Sequence, residues 1–241
     1  GTAGDAQVAL TWSAPASNGG ASITDYVVEY KLTSEPTTWS IFSDGTSTTA
    51  STTVTGLTNG SAYDFRVSAV NSVGQGTASS TASATPLTVP GAPTIGTATR
   101  GNTEAVVTFS APASNGGSVI TGYTVTSSPG SITGTGSASP ITVTGLTNGT
   151  AYTFTVTATN AAGTGSASSA SNSVTPATVP NAPTSASATA GNAQAEVAFS
   201  APSSDGGSSI TGYTVTSSPG SITGTGSASP ITVTGLSNGT A

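Results

Sequence analysis

The chain contains no cysteine, no histidine and no methionine, and only 5% of its 241 residues are charged. Without cysteine it cannot form a disulfide, and thiol chemistry is excluded. Without histidine it also lacks the side chain that most often acts as a general base or metal ligand near neutral pH. The fold must therefore rest on an ordinary apolar core, for which the 34% of hydrophobic residues supply the material.

Positive charge is equally scarce. Lys31, Arg66 and Arg100 are the only basic residues against nine acidic ones, which gives a net charge of −6 and an isoelectric point near 4.1. Nucleic-acid binding depends on Lys and Arg side chains that neutralise phosphates, and anionic membrane surfaces attract basic clusters. The sequence also has no apolar run of about 18 residues or more. We therefore expect no nucleic-acid partner and no membrane insertion in this segment.

The acidic residues do not form a catalytic or metal-binding pattern. Glu104 is the only carboxylate between residues 87 and 176, so paired-carboxylate hydrolysis has no pair there. Calcium-stiffened arrays place carboxylates at their junctions, and the proline-rich connections Thr85–Pro93 and Thr175–Pro183 contain none. We therefore expect no enzyme activity, no cofactor and no metal site.

Internal repetition organises the whole chain. "WSAPASNGG" at Trp12 returns as "FSAPASNGG" at Phe109 and as "FSAPSSDGG" at Phe199, at intervals of about 90 residues. The segment Ile120–Leu146 recurs without change at Ile210–Leu236. Three repeats follow: residues 1–86, lacking the first strand; residues 87–176, complete; and residues 177–241, lacking the last two strands.

Apolar and polar residues alternate within each repeat, which is the period of a half-buried strand. In "AYTFTVTAT", Tyr152, Phe154, Val156 and Ala158 share one face, and threonines occupy the other. Clusters such as "SNGG", "SPG" and "TNG" separate the runs and supply the residues that tight turns need. The pattern predicts seven short strands per repeat, arranged as an antiparallel two-sheet sandwich.

Several motifs recur at matching places in the repeats. They are an aromatic residue on the second strand (Trp12, with Phe109 and Phe199), Tyr-x-Val on the third strand (Tyr26, Tyr123 and Tyr213), Leu followed six residues later by Tyr (Leu57 and Tyr63, Leu146 and Tyr152), and Asn-x-x-Gly (Asn71 and Asn160). With these motifs each repeat resembles a fibronectin type III domain, of the Ser/Thr-rich kind seen in bacterial secreted or cell-surface proteins, although Phe109 and Phe199 depart from the family, which usually has Trp there. The resemblance implies an all-β chain of tandem seven-stranded, immunoglobulin-like antiparallel β-sandwiches. It also implies a tyrosine corner, in which a phenol binds backbone near the turn that precedes it.

The first repeat carries extra aromatic residues. About eight additional residues lie within Glu29–Ser51, and Tyr30, Trp39 and Phe42 are aromatic side chains that the middle repeat does not match. Exposed flat rings would suit ligand contact, including sugar stacking. The alternative is that the same rings cover the rim of a slightly larger sandwich, because aromatic residues normally serve core burial.

These features favour a non-catalytic spacer and adhesion segment of a larger extracellular or cell-surface protein. Such a segment would hold other domains apart and offer weak protein or glycan contacts. Its expected partners are the other domains of the same protein, together with surface proteins or polysaccharide. The resemblance also allows an accessory module of a secreted polysaccharide-degrading enzyme, and an intracellular scaffold remains a third interpretation.

Overall fold

The computed structural model describes residues 1–35 and 37–240, and every regular element in these ranges is a β-strand. The predicted all-β class is confirmed. No helix in the two described ranges has the length and apolarity needed to cross a membrane.

Residues 1–86, called repeat 1, form two antiparallel sheets. One sheet has the order β1-β2-β5, and the other has the order β4-β3-β6-β7 with β8 also paired to β6. Strand β1 pairs with the start of β2. The strands are β1 (Thr2–Gly4), β2 (Gln7–Thr11), β3 (Ile23–Leu32), β4 (Ser40–Phe42), β5 (Ser51–Thr55), β6 (Tyr63–Asn71), β7 (Gly74–Gln75) and β8 (Ala82–Ala84).

Residues 87–176, called repeat 2, repeat this arrangement with a longer first strand. Its sheets have the orders β13-β10-β9 and β12-β11-β14-β15. A single bridge between Tyr152 and Val174 lies at the position that corresponds to β8 of repeat 1. The strands are β9 (Thr94–Arg100), β10 (Glu104–Ser110), β11 (Gly122–Ser128), β12 (Thr133–Gly136), β13 (Ile141–Thr144), β14 (Thr153–Asn160) and β15 (Gly163–Thr164).

Residues from 177 onward, called repeat 3, form a three-stranded sheet and a two-stranded sheet. The orders are β16-β17-β20 and β18-β19. Among the described residues of repeat 3 there is no equivalent of β14 or β15. The strands are β16 (Thr184–Gly191), β17 (Gln194–Ser200), β18 (Tyr213–Thr216), β19 (Thr223–Gly226) and β20 (Ile231–Thr234).

The chain divides into two compact units, and both include part of repeat 2. The first unit comprises Gly1–Thr94, Ser110–Thr124 and Val156–Ser168. The second comprises Ile95–Phe109, Val125–Thr155 and the residues from Ser169 onward. The connection between repeats 1 and 2 therefore lies within the first unit, and the connection between repeats 2 and 3 lies within the second.

The core of repeat 1 comes from the alternating residues of its strands. Buried Val8, Val28, Val54 and Phe65 belong to one cluster, and their neighbours along each strand point away from it. Strand β14 shows the same alternation, with buried Phe154, Val156 and Ala158 between half-buried threonines. The predicted period of two is confirmed because each side chain that it assigned to the core in β14 is buried.

Both tyrosine corners are present. Tyr63 accepts a hydrogen bond from the backbone N–H of Thr58 through its phenol oxygen at 3.1 Å, and Tyr152 accepts one from Thr147 at 3.1 Å. Donation by the Thr147 N–H lowers the pKa of the Tyr152 phenol from its ordinary value, because it stabilises the phenolate. The corner therefore ties each turn to the start of the strand that follows it.

Candidate functional site

The outer face of β3 and β6 holds two of the three cations in the chain. The strands pair so that Glu29 lies opposite Arg66 and Lys31 lies opposite Asp64. Arg66 donates to both Glu29 oxygens, at 2.8 and 3.1 Å, and Lys31 Nζ lies 3.1 Å from Asp64 Oδ2. Cross-strand pairs of opposite charge stabilise a sheet face. Each cation here is neutralised by its partner, so the face presents little net charge.

Trp39 lies against this charged face. The Arg66 guanidinium carbon is 4.2 Å from the centroid of the Trp39 ring, and Lys31 Nζ is 5.4 Å from it. Both distances fall within the range of cation–π attraction. The ring is half-buried, and the Lys31 side chain beside it is only 9% exposed.

Asp64 joins the strands at one end of the face. Ser83 Oγ donates to its carboxylate at 2.7 Å, Thr33 Oγ1 donates at 2.9 Å, and Lys31 adds an ion pair. The Ser83 bond is the largest influence that holds the pKa of Asp64 below its ordinary value, and the bonds from Lys31 and Thr33 act in the same direction against desolvation. The carboxylate is therefore a fixed acceptor and not a proton donor near neutral pH.

The structure does not bring the three predicted contact residues onto one surface. Tyr30 and Phe42 pack against the buried cluster of repeat 1, on the face opposite Arg66. Their positions match the rim of a larger sandwich, which was the alternative interpretation. Trp39 alone lies on the charged outer face, so the candidate contact surface consists of Trp39, Arg66, Lys31 and exposed Ile41.

The connection between repeats 1 and 2 is hydrogen-bonded on both sides. Gly60 N–H donates to Pro86 O at 2.8 Å, and Leu87 N–H donates to Gly4 O at 3.1 Å, so the start of the connection is held by repeat 1. Thr88 N–H then donates to Gly116 O at 2.8 Å. The three consecutive residues Pro86, Leu87 and Thr88 are therefore each held by a backbone hydrogen bond to one of the two repeats.

The connection between repeats 2 and 3 repeats the same bonds. Gly149 N–H donates to Pro176 O at 2.9 Å, Ala177 N–H donates to Gly101 O at 3.1 Å, and Thr178 N–H donates to Gly206 O at 2.8 Å. Because the partners occupy equivalent positions in the repeat, the arrangement is a property of the repeat and not of one connection.

Glycines allow this close approach. The backbones of Gly60 and Gly117 are so near that a Cβ on Gly117 would overlap the Gly60 nitrogen and lie 2.6 Å from the carbonyl carbon of Asn59. Gly117 also has φ of +84°, which disfavours other residues. Gly207 stands in the same relation to Gly149. The sequence predicted these "NGG" and "TNG" stretches only as turns, since nothing local shows that two turns meet.

Within the described ranges, no three His, Cys, Asp or Glu side chains are grouped so that they could hold a metal ion.

Comparison with known proteins decides the family. The family model for the fibronectin type III domain matches residues 2–85 and 91–174. The chain belongs to the fibronectin type III family. Fibronectin type III domains are generally non-catalytic modules that commonly mediate protein contacts within larger proteins, and they are typical of extracellular or cell-surface proteins.

Two solved structures of tandem domains are similar to this fibronectin type III chain. The crystal structure of chicken CNTN1 FN1–FN3 domains is 18% identical, covers 96% of this chain and 85% of its own, and superposes with a TM-score of 0.34. The crystal structure of a run of domains from titin is 21% identical, covers 72% of this chain and 60% of its own, and has a TM-score of 0.47.

Proposed function

We propose that this chain is a non-catalytic spacer and adhesion segment of a larger extracellular or cell-surface protein. It holds other domains of that protein apart, and it is divided into repeats at residues 1–86, 87–176 and 177–241. The sequence predicted that repeat 1 lacks its first strand, but a three-residue part of that strand is present as β1; the last repeat lacks its last two strands. The absence of histidine and cysteine supports a role that needs no chemistry.

The observation that carries this proposal is the recurrence of the same hydrogen bonds at both connections. A free linker of Gly and Ser lets two domains take many orientations, whereas prolines and backbone hydrogen bonds restrict a connection. Pro86 and Pro90 are fully buried, so the first connection is packed as well as hydrogen-bonded. Because a restricted connection has few orientations to lose, a segment built from such connections holds the domains at its two ends apart at little cost in conformational entropy.

The adhesion part of the proposal rests on the outer face of repeat 1. Trp39 and Ile41 give this face an apolar and aromatic edge beside two neutralised ion pairs. Protein interfaces are enriched in Trp and Arg. Weak contacts with surface proteins or glycans are the expected use.

Distances between spin labels test the spacer role. Because the chain has no cysteine, single cysteines can be introduced as unique labelling sites. The pair Thr53→Cys and Val119→Cys reports on the first connection, and the equivalent pair Thr142→Cys and Ser209→Cys reports on the second; all four positions are exposed. We expect two narrow and similar distance distributions. Broad distributions typical of a flexible tether would refute the proposal.

Polysaccharide pull-down tests the contact surface. The variant Trp39→Ala removes the ring, and Ile41→Ala is a second probe of the same face, on which Ile41 is 68% exposed. Weak retention lost in both variants supports a shared adhesion edge. Strong retention that depends on Trp39 alone would favour an accessory module of a polysaccharide-degrading enzyme.

A further inference from the structure

Four Asn-Gly pairs lie in the turns of repeats 1 and 2, beginning at Asn18, Asn59, Asn115 and Asn148. Asparagine is a thermally labile residue, and it loses its amide most readily before glycine, which places no side chain in the way of ring closure. For this reaction the backbone nitrogen of the glycine must reach the side-chain amide carbon of the asparagine. The folded structure therefore decides which of the four pairs reacts.

Two of the four pairs are held away from this attack. Asn148 Oδ1 accepts a hydrogen bond from the distant Thr103 N–H at 2.9 Å, so the side-chain amide is turned toward another part of the chain. The attacking nitrogen is occupied as well, because Gly149 N–H donates to the carbonyl of buried Pro176 at 2.9 Å. Asn59 has the equivalent bonds in repeat 1. Both asparagines are only half-exposed.

The pair at Asn115 is arranged differently. Asn115 is exposed, and its Oδ1 accepts from the Gly117 N–H at 3.0 Å, only two residues along the chain. The ring that this bond closes contains both the Asn115 amide carbon and the Gly116 nitrogen, so the two reacting atoms belong to one turn. Gly116 N–H donates to the Ser114 hydroxyl at 3.1 Å, a side chain that can rotate away. Asn18 has the same two kinds of bond.

Repeat 3 contains the aspartate that deamidation would produce. Asp205 occupies the position of Asn115, and its Oδ1 accepts from the Gly207 N–H at 2.8 Å. The bond at the connection is also kept, because Thr178 N–H donates to Gly206 O at 2.8 Å. Aspartate at this position is therefore compatible with both the turn and the connection.

Isoaspartate, the second product of deamidation, does not fit in the same way. It adds one carbon to the main chain immediately before Gly116. Gly116 O accepts from the Thr88 N–H at 2.8 Å, and Gly116 lies so close to Thr88 O that a Cβ on it would overlap this oxygen. Because a longer main chain displaces Gly116, it breaks the bond that holds Thr88 to repeat 2.

We propose that Asn115 is a modification site, at which spontaneous deamidation to isoaspartate loosens the connection between repeats 1 and 2. The Gly116 nitrogen attacks the side-chain amide carbon of Asn115 and forms a cyclic imide, and the amide nitrogen leaves as ammonia with the proton from Gly116. Water then opens the imide. Cleavage of the bond to the former side-chain carbon gives aspartate, and cleavage of the bond to the former main-chain carbonyl gives isoaspartate. Asn18 shares the reactive geometry and reacts in the same way.

Mass spectrometry of the full chain, incubated in mildly alkaline buffer, tests the modification. Chymotryptic cleavage after four tyrosines separates the four pairs into different peptides: Tyr26, Tyr63, Tyr123 and Tyr152. Asn115 should convert at least about tenfold faster than Asn59 and Asn148, whose hydrogen bonds must break before the attack. In guanidinium chloride the four pairs should convert at similar rates. Conversion of Asn59 or Asn148 in the folded chain as fast as that of Asn115 would overturn the proposal.

The effect on the connection rests on the proposed spacer role and has its own measurement. The pair Thr53→Cys and Val119→Cys, spin-labelled after incubation, should give a broader distance distribution as isoaspartate accumulates. The distribution should stay narrow with Asn115→Ser, which keeps an oxygen acceptor for the Gly117 N–H but has no amide to lose. A narrow distribution in a chain whose Asn115 is mostly isoaspartate would overturn the loosening. A distribution that is broad before incubation would refute the spacer role instead, and the mass spectra would still decide the modification.

Discussion

Replacing Gly117 with alanine tests how much the contact between repeats 1 and 2 contributes to stability. Comparison with Gly145 distinguishes this contribution from the strain that alanine causes in the turn itself. Gly117 has φ of +84°, and its Cβ would overlap the Gly60 nitrogen. Gly145 has φ of +80°, and its Cβ would meet no atom within 4 Å. Alanine at either position takes on the left-handed conformation, which costs about 1–2 kcal/mol. Only Gly117→Ala also forces the two turns apart.

The added cost can be worked from the bonds at the connection. Moving the Gly60 backbone breaks its 2.8 Å hydrogen bond to Pro86 O, which contributes about 1 kcal/mol. Gly117→Ala should therefore destabilise the chain by about 1 kcal/mol more than Gly145→Ala does. For a domain the size of one repeat, that difference in the free energy of unfolding corresponds to a shift of about 4–8 °C in the midpoint of thermal unfolding.

Tryptophan fluorescence makes the assay selective, because Trp12 and Trp39, the only two tryptophans, both lie in repeat 1. Strain in a turn of repeat 2 has no direct route to that signal. Gly117→Ala should lower the midpoint of the fluorescence transition, and Gly145→Ala should leave it nearly unchanged. If Gly117→Ala shifts the midpoint no more than Gly145→Ala does, the contact between the two turns adds no stability to repeat 1 and the reasoning is refuted.

Three other predictions follow from the described contacts. Tyr63→Phe removes the acceptor of the Thr58 N–H and should destabilise repeat 1 by about 1 kcal/mol, measured by denaturant unfolding; an unchanged midpoint would contradict this. Because Ser83, Lys31 and Thr33 hold the folded pKa of Asp64 below its unfolded value, their stabilisation is present above about pH 4 and is lost as the pH falls through the folded pKa. Asp64→Asn should therefore flatten the acid dependence of repeat 1 unfolding, and equal acid sensitivity in both proteins would contradict this. Finally, amide hydrogens of Ile210–Leu236 should exchange faster than those of the identical Ile120–Leu146, because Tyr213 and Leu236 are half-buried whereas Tyr123 and Leu146 are buried; equal protection would contradict this.

The strands and the tyrosine corners could be predicted from the sequence because they depend on residues that lie close together along the chain. Alternation along "AYTFTVTAT" fixes which side chains share a face, and the spacing from Leu146 to Tyr152 fixes the corner. Both features arise from residues that are neighbours in the chain. The same local information gave the positions of the turns, where Gly56 and Gly145 have positive φ.

The candidate contact surface could be predicted only in part. Trp39 lies in the longer middle segment of repeat 1, and the sequence does not show which strand that segment pairs with. The pairing of Glu29 with Ile41 and Arg66 decides that Trp39 lies on the outer face, while Phe42 is carried to the core. Tyr30 could have been assigned to the core from its spacing to Tyr26 and Val28 along β3.

The identical segments Ile120–Leu146 and Ile210–Leu236 show where local information ends. In both copies a serine hydroxyl organises the turn: Ser127 Oγ donates to Pro129 O at 3.0 Å, and Ser217 Oγ donates to Pro219 O at 3.2 Å. Burial nevertheless differs, because β11 pairs with β14 whereas β18 pairs only with β19 among the described strands. The turn is therefore set by the segment, but the strength of its packing is set by the neighbouring strands. The same reasoning applies to the connections, since each glycine turn becomes a rigid link only when the next repeat lies against it.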